Sequence, residues 1–125
     1  MRKSILLLVC LLLMLSLCAC SGWGTTNGRD LVNMETSHGD GYAAIVWEDR
    51  VYVPYCAISN SARGDQIGIA DRDEDHRVYA YKGYPEEEWI IDMYVSGLMD
   101  GAMLMREMHV TEIPEGLESE YEWNK

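Results

Sequence analysis

Three aspartates alternate with other residues in one short charged stretch, at Asp71, Asp73 and Asp75. This D-x-D-x-D spacing opens the EF-hand calcium loop, in which carboxylate oxygens hold the ion. The remainder of that loop is missing, because His76 stands where a glycine makes the sharp turn and Lys82 stands where a bidentate glutamate is needed. The sequence therefore favours a solvated hairpin tip whose charges pair in part with Arg72 and Arg77. A calcium site at residues 71–75 is the alternative, because alternate side chains of an extended segment project to the same side.

Soft metal ligands occur together in the last third of the chain, at Met99, Met103, Met105, Met108 and His109. Thioether groups suit Cu(I), but methionine also fills irregular gaps in protein cores. Strand alternation would place Met103 and Met105 together and would point Met108 and His109 in opposite directions. We therefore interpret this group as core packing.

Cys56 is the one cysteine outside the first twenty residues. A catalytic cysteine needs a general base and a group that orients the base. The histidines fall in separate predicted segments, at His38, His76 and His109. The chain also lacks the G-x-S-x-G nucleophile elbow of serine hydrolases. The sequence therefore predicts a buried, inert thiol at Cys56 and no enzymatic activity.

The aromatic residues are four tryptophans and eight tyrosines, with no phenylalanine. Rings with a polar tip suit partner surfaces and stacking on sugars or peptides. Tyr52, Tyr79 and Tyr81 are predicted to line one outward sheet face and to form a binding face. The alternative is that tyrosine simply favours half-exposed strand positions.

The elements that must position these residues are short strands. Residues 42–47 and 50–58 are rich in β-branched and aromatic types and are separated by Glu48-Asp49, which predicts a hairpin. Pro54 has no amide hydrogen, so we expect it at a sheet edge or a bulge. Residues 66–82 predict a second hairpin with an acidic tip.

Residues 86–95 fit two structures. Pro85 and three glutamates suit the start of a helix, but residues 89–95 alternate and are dense in strand formers. We favour a strand there, paired with residues 102–108, and a last short strand at 110–113. The acidic tail offers three apolar anchors, Leu117, Tyr121 and Trp123. The predicted fold is all-β, a small antiparallel barrel or sandwich of about five to seven short strands. An α+β fold with a helix near 86–95 is the alternative.

The N-terminus carries the most specific motif. Arg2 and Lys3 precede the uncharged run 5–15, which has the length of a signal-peptide hydrophobic region and predicts a signal helix. The following Leu17-Cys18-Ala19-Cys20 resembles the lipobox of bacterial lipoproteins. The resemblance implies that Cys20 receives a diacylglyceryl thioether and becomes the first residue after cleavage. It also implies lipid anchoring, including a palmitate-type chain, at the extracytoplasmic face of the cell membrane.

These features predict three parts: a signal peptide at 1–19, a lipidated N-terminus and flexible tether at 20–41, and one small β domain at 42–125. A first edge strand at residues 31–34 is the alternative for the end of the tether. Loss of Arg2 and Lys3 takes the formal net charge from −11 to −13. Such a surface argues against nucleic acid, whose binding depends on Lys and Arg. In general form the chain resembles the small uncharacterised lipoproteins of bacteria. The predicted function is a membrane-anchored module that binds an envelope protein or polymer, without a cofactor other than its lipid, and the alternative is calcium binding.

Overall fold

The computed structural model describes residues 30–96 and 101–125, and these residues form seven β-strands. The strands are β1 (Val32–His38), β2 (Ala43–Trp47), β3 (Arg50–Ile58), β4 (Arg63–Ala70), β5 (Asp73–Tyr81), β6 (Trp89–Tyr94) and β7 (Ala102–Glu107). Two 3-10 turns, Asn60–Ala62 and Glu122–Asn124, are the helical elements of the described residues. The all-β prediction is therefore confirmed, whereas the signal segment, Cys20 and Met99 lie outside the described residues. Within the described ranges, no helix has the length and apolar character needed to cross a membrane.

The strands form a closed barrel in the order β1-β2-β3-β7-β6-β5-β4. Six of the seven pairings are antiparallel, and the barrel closes where β1 runs parallel to β4, with Met34 opposite Ala70. Gly68 makes this closure feasible, because a Cβ atom there would lie 2.4 Å from the carbonyl oxygen of Val32. Closure pairs the edge strands β1 and β4 with each other.

Both predicted hairpins are present. β2 and β3 are joined by Glu48 and Asp49, and β4 and β5 are joined by Asp71 and Arg72. Asp71 and Arg72 both have positive φ, at 53° and 58°, which is the backbone of a two-residue type I′ hairpin turn.

The segment that fitted either a strand or a helix is strand β6. It pairs with β5 on one side and with β7 on the other. Ile90 points into the barrel, whereas Trp89 and Ile91 belong to a second buried cluster on the opposite face. A helix would present one buried stripe, but this segment has two buried faces. The Pro85–Glu88 stretch forms a single turn, in which the amides of Glu88 and Trp89 both donate to the Pro85 carbonyl at 3.1 Å.

Every strand contributes to the barrel interior. The interior residues are Met34, Ile45, Tyr52, Ile67, Ala70, Val78, Ile90 and Met105. Full burial of a large apolar side chain contributes about 1.5–3 kcal/mol, so this set is the main source of stability. Met34 lies in the range predicted to be a tether. The tether prediction is corrected there, because β1 pairs with both β2 and β4 and its side chain fills the core.

A second apolar layer covers the outside of β3, β5, β6 and β7. Its members are Tyr55, Tyr79, Trp89, Ile91, Met93, Ala102 and Leu104. Val110 and Leu117 from the C-terminal segment pack against it. The strand predicted at 110–113 is absent from the structure, and that segment instead runs as irregular backbone along the outer layer.

Candidate functional site

The acidic hairpin tip is joined to strand β1. The Asp71 carboxylate accepts hydrogen bonds from the Thr36 amide, at 3.0 Å, and from the Thr36 hydroxyl. The Arg72 amide donates to Asn33 Oδ1 at 2.7 Å. The hydrogen bonds from Thr36 lower the pKa of Asp71, because they favour its charged form. Asp71 therefore helps to hold β1 in the barrel.

The other aspartates of the tip have local partners as well. Asp73 Oδ1 accepts from the Asp75 amide at 2.9 Å. His76 Nε2 lies 2.6 Å from Asp92 Oδ1, across the β5–β6 pairing, and this hydrogen bond raises the pKa of His76. In the described part of the chain, no group of three or more His, Cys, Asp or Glu side chains is arranged to hold a metal ion.

Of the three tyrosines predicted to share a face, Tyr52 is separated from the other two. Tyr52 is completely buried inside the barrel, where its hydroxyl donates to the Glu86 carbonyl at 2.8 Å and accepts from Arg50 Nε at 3.0 Å. Burial raises the pKa of Tyr52 to about 12. Tyr79 and Tyr81 belong to the outer layer. The prediction that the three tyrosines share one binding face is therefore wrong, because side chains alternate along a strand and the register places Tyr52 on the opposite side of the sheet.

Of the predicted methionine group and Cys56, the residues Met103, Met105 and Cys56 pack against the two apolar clusters. Met105 is fully buried, Met103 packs against the interior cluster, and Met108 is exposed. Cys56 is a free, half-buried thiol on β3, and burial raises its pKa. A raised pKa keeps the thiol protonated at neutral pH, which makes it a weak nucleophile.

A concave surface lies beside the turn that precedes β6, and we call it the acidic groove. One part has a volume of about 180 Å³ and is lined by Tyr84, Glu88, Trp89, Glu112, Ile113 and Pro114. The adjoining part, of about 390 Å³, is lined by Glu87, Glu88, Glu107, His109, Val110, Thr111 and Glu112. The two parts share Glu88 and Glu112, so they form one continuous groove.

Hydrogen bonds and stacking hold the two walls of the acidic groove. On one wall, the Tyr84 ring stacks on Tyr81, with ring centroids 4.5 Å apart and planes 8° apart. The Glu107 amide donates to the Glu88 carbonyl at 2.8 Å and fixes the turn to β7. On the other wall, Arg106 Nη1 donates to the Val110 carbonyl at 2.8 Å. The walls are therefore positioned by the barrel.

The charge of the acidic groove is negative. The Glu107 carboxylate is buried and is bound by His109, through the backbone amide at 2.9 Å and the ring Nδ1 at 2.8 Å. Glu87, Glu88 and Glu112 are exposed, and within the described ranges none of the three forms an ion pair. The groove thus combines two exposed apolar side chains, Tyr84 and Ile113, with carboxylates that face solvent.

A second cavity lies between β3 and the C-terminal tail, residues 115–125, and we call it the tail cleft. Its volume is about 330 Å³, and its lining consists of Tyr55, Cys56, Ala57, Glu118, Glu120 and Tyr121. A β-bulge between Pro54 and Cys56 interrupts the pairing of β3 with β7, as expected for proline. The bulge leaves the Pro54 carbonyl outside the ladder, where it accepts from Trp123 Nε1 at 2.7 Å and from Asn124 Nδ2 at 2.8 Å.

The predicted tail anchors are confirmed by these contacts, since Leu117 packs on the outer layer and Trp123 binds β3. The sequence signal for Trp123 was its apolar ring in an acidic tail. Nothing in the local sequence marked the acidic groove, because its walls come from segments about 25 residues apart.

Searches of known protein families, curated proteins and solved structures found no match to this chain.

Proposed function

We propose that this chain is a lipid-anchored binding module at the extracytoplasmic face of a bacterial cell membrane, and that its acidic groove holds a basic segment of an envelope protein. The observation that carries the proposal is that exposed apolar side chains lie beside carboxylates that form no ion pair within the described ranges. The lipobox motif at Cys20 supports the anchored location, and the strongly acidic composition supports a cationic partner.

The exposed apolar side chains of the acidic groove supply the apolar part of recognition. Tyr84 and Ile113 are among the few large apolar residues that remain exposed, at 39% and 38%. Lysine and arginine carry long apolar stems that lie on such surfaces while their charged heads reach polar groups. A basic segment would place its stems on Tyr84 and Ile113 and its cations beside Glu88 and Glu112.

The carboxylates of the acidic groove supply specificity and speed of association. Carboxylates around an apolar centre attract a basic partner over a distance of about 8–10 Å at physiological salt. Because the barrel is closed, strand addition to a sheet edge is not available as a recognition mode. Side-chain recognition in the groove is the mode that this fold supports.

The groove is tested by measuring the affinity of the full chain, in mild detergent, for a short Lys- and Leu-containing peptide. A second peptide with glutamine in place of lysine is the matched ligand control. We expect salt-sensitive binding of the basic peptide, weakened about two- to fivefold by Glu112→Gln. Tyr84→Ala should weaken binding at all salt concentrations, because it removes apolar contact.

Glu74→Gln is the matched protein control, since Glu74 is exposed on β5 and does not line the groove. Equal losses for Glu74→Gln and Glu112→Gln would mean that only overall charge attracts the peptide. That result, or equal binding of the glutamine peptide, would refute the groove as a recognition site.

The anchor has an independent test. We expect radioactive palmitate to label the full chain in bacteria, and we expect Cys20→Ala to abolish the label while Cys18→Ala retains it. Labelling that survives Cys20→Ala would refute Cys20 as the lipidated residue, and absence of label from the native chain would refute the lipid anchor; either result would leave the groove proposal intact.

A further inference from the structure

We infer that the acidic groove binds the extracytoplasmic flank of a transmembrane helix, a basic segment that its own protein holds at the bilayer surface. The inference rests on the proposed function and names the partner of the same site. Two observations carry it. The strand directions place the groove at the end of the barrel where the chain arrives from Cys20, and the chain between Cys20 and β1 is short.

The start of β1 and the acidic groove lie at the same end of the barrel, which we call the anchor end. β2 is antiparallel to β1, and β3 is antiparallel to β2, so β3 begins at the anchor end. β7 is antiparallel to β3 and therefore finishes there, with Glu107 opposite Tyr52. β6 begins there, with Trp89 opposite Arg106. The lining of the groove comes from the turn before β6, the first residue of β6, the last residue of β7 and the segment after β7.

The groove is also close to the point where the chain enters the barrel. Three steps between neighbouring strands lead from β1 to β7, which is about 14 Å along the sheet at the usual strand spacing. The Asp71-Arg72 turn lies at the opposite end of the barrel. β1 has seven residues, so that end is about 20 Å away along the strands. Of the two acidic features, the groove is therefore the one beside the anchor.

The chain between the proposed lipid and the barrel limits how far the groove stands from the membrane. Val32 follows Cys20 by twelve residues, and a peptide chain spans at most about 3.3–3.6 Å per residue. With the lipid on Cys20, the anchor end stays within about 40 Å of the bilayer surface. A partner in the same membrane shares this layer, so its effective concentration at the groove is raised.

The groove lining fits the composition of a helix flank. Transmembrane helices carry Lys, Arg, Trp and Tyr at the membrane interface, where these residues anchor the helix. The exposed Tyr84 and Ile113 would contact rings and apolar stems, and Glu88 and Glu112 would pair with the cations. Anionic lipid head groups repel carboxylates, so a basic flank supplies the favourable contact that such a bilayer surface does not.

The test uses the full lipidated chain in phosphatidylcholine vesicles. The probe is the Lys- and Leu-containing peptide with one benzophenone side chain, fused to a synthetic transmembrane helix through a spacer of about three or about twenty Gly-Ser residues, which extend to about 10 Å and about 70 Å. Photo-crosslinks are mapped by mass spectrometry, and the glutamine peptide on the same helix is the matched control. We expect half-maximal crosslinking to the groove at a bulk concentration at least about tenfold below that of the soluble basic peptide, already with the short spacer.

A longer tether is the matched protein variant. Insertion of about twenty Gly-Ser residues after Gly28 leaves the sequence of every strand intact. It should reduce the gain of the membrane-bound peptide about fourfold, because effective concentration falls with about the −3/2 power of linker length. The soluble peptide should bind both chains equally, which checks that the groove itself is unchanged.

Three outcomes would overturn the inference while the groove proposal stands. If the soluble peptide binds but the membrane-bound peptide shows no gain, the groove belongs to a soluble partner. If the gain needs the long spacer, the groove faces away from the bilayer. If chain and peptide crosslink equally well from separate vesicles, the shared membrane contributes nothing. Absence of groove binding by the soluble peptide would instead refute the proposed function, and the helix flank as partner with it.

Discussion

Asn124 fastens the end of the tail to the barrel, and its loss should destabilise the whole domain. Its Nδ2 donates to the Pro54 carbonyl and to Ser119 Oγ, both at 2.8 Å. Its Oδ1 accepts from Arg106 Nη2 at 2.9 Å and from Arg106 Nε at 3.2 Å. Asn124→Ala removes all four hydrogen bonds and leaves Arg106 without its side-chain acceptor.

The expected loss follows from the partners. A hydrogen bond within a protein contributes about 0.5–1.5 kcal/mol net, and more when one partner is charged. Asn124 is half-buried, so water replaces part of what is lost, and we expect a total of about 2–3 kcal/mol. For a domain of this size, about 1 kcal/mol corresponds to about 4–8 °C in melting temperature. Asn124→Ala should therefore lower the melting temperature by about 8–24 °C.

The assay is thermal unfolding of the full chain in mild detergent, followed by circular dichroism in the strand region. Lys125→Ala is the control, because its exposed ion pair with Glu122 contributes no more than about 0.5 kcal/mol. Asn124→Asp keeps the acceptor for Arg106 but sets a carboxylate against the Pro54 carbonyl, so we expect an intermediate loss. A melting temperature for Asn124→Ala within about 2 °C of the native value would refute the argument that the tail is part of the folded unit.

Three further predictions concern the barrel itself. The hydrogen bond to Asp92 raises the pKa of His76, so its contribution to stability is complete below the ordinary pKa of about 6.5 and is lost as pH rises through the raised value. The urea concentration at the unfolding midpoint, measured between pH 5 and 9, should therefore fall with rising pH more steeply in the native chain than in His76→Gln. The same dependence on pH in both chains would contradict this prediction. Gly68→Ala should destabilise the domain by about 1–3 kcal/mol, because its Cβ would lie within 2.4 Å of a backbone oxygen. Gly101→Ala, where nothing lies within 4 Å, should be nearly neutral, and similar urea midpoints for the two variants would refute the role of the close approach. Asp71→Asn should lower the melting temperature whether or not calcium is present, since the carboxylate accepts hydrogen bonds from Thr36 of strand β1. If calcium instead raises the melting temperature of the native chain and Asp71→Asn abolishes that rise, a metal site is favoured.

The local elements of the fold were predictable because the chain signals them over short distances. The turn at Glu48-Asp49 separates two runs of strand-forming residues, and the alternation in β6 matches its two buried faces. The second hairpin was predicted at residues 66–82 with a charged tip at 71–77, but its turn is only Asp71-Arg72 and β5 begins at Asp73. Strand β1 was assigned to a tether, with an edge strand at 31–34 only as the alternative, because the segment contains few apolar residues. Its stability comes from pairing with β2 and β4 and from one buried side chain, Met34.

The sites were harder to predict than the strands. Tyr52, Tyr79 and Tyr81 looked alike in sequence, but a sheet has two faces and the register decides which side chain meets which face. The acidic groove joins the turn before β6 to the segment after β7, and the tail cleft joins β3 to residues more than 60 positions later. Contacts between such distant segments leave no local periodicity in the sequence.

What the sequence by itself determined is the approximate positions of strands β2 to β7, the acidic charge and the motif at Cys20, because composition, alternation and turn residues act over a few neighbouring positions. The tertiary structure decided the rest. It allows the barrel to close at Gly68, buries Tyr52 in the barrel interior, joins Asp71 to strand β1 by hydrogen bonds and places Tyr55 and Tyr121 in the lining of one cavity. These outcomes depend on strand order and register, which are properties of the whole chain packing around one core and not of any single stretch.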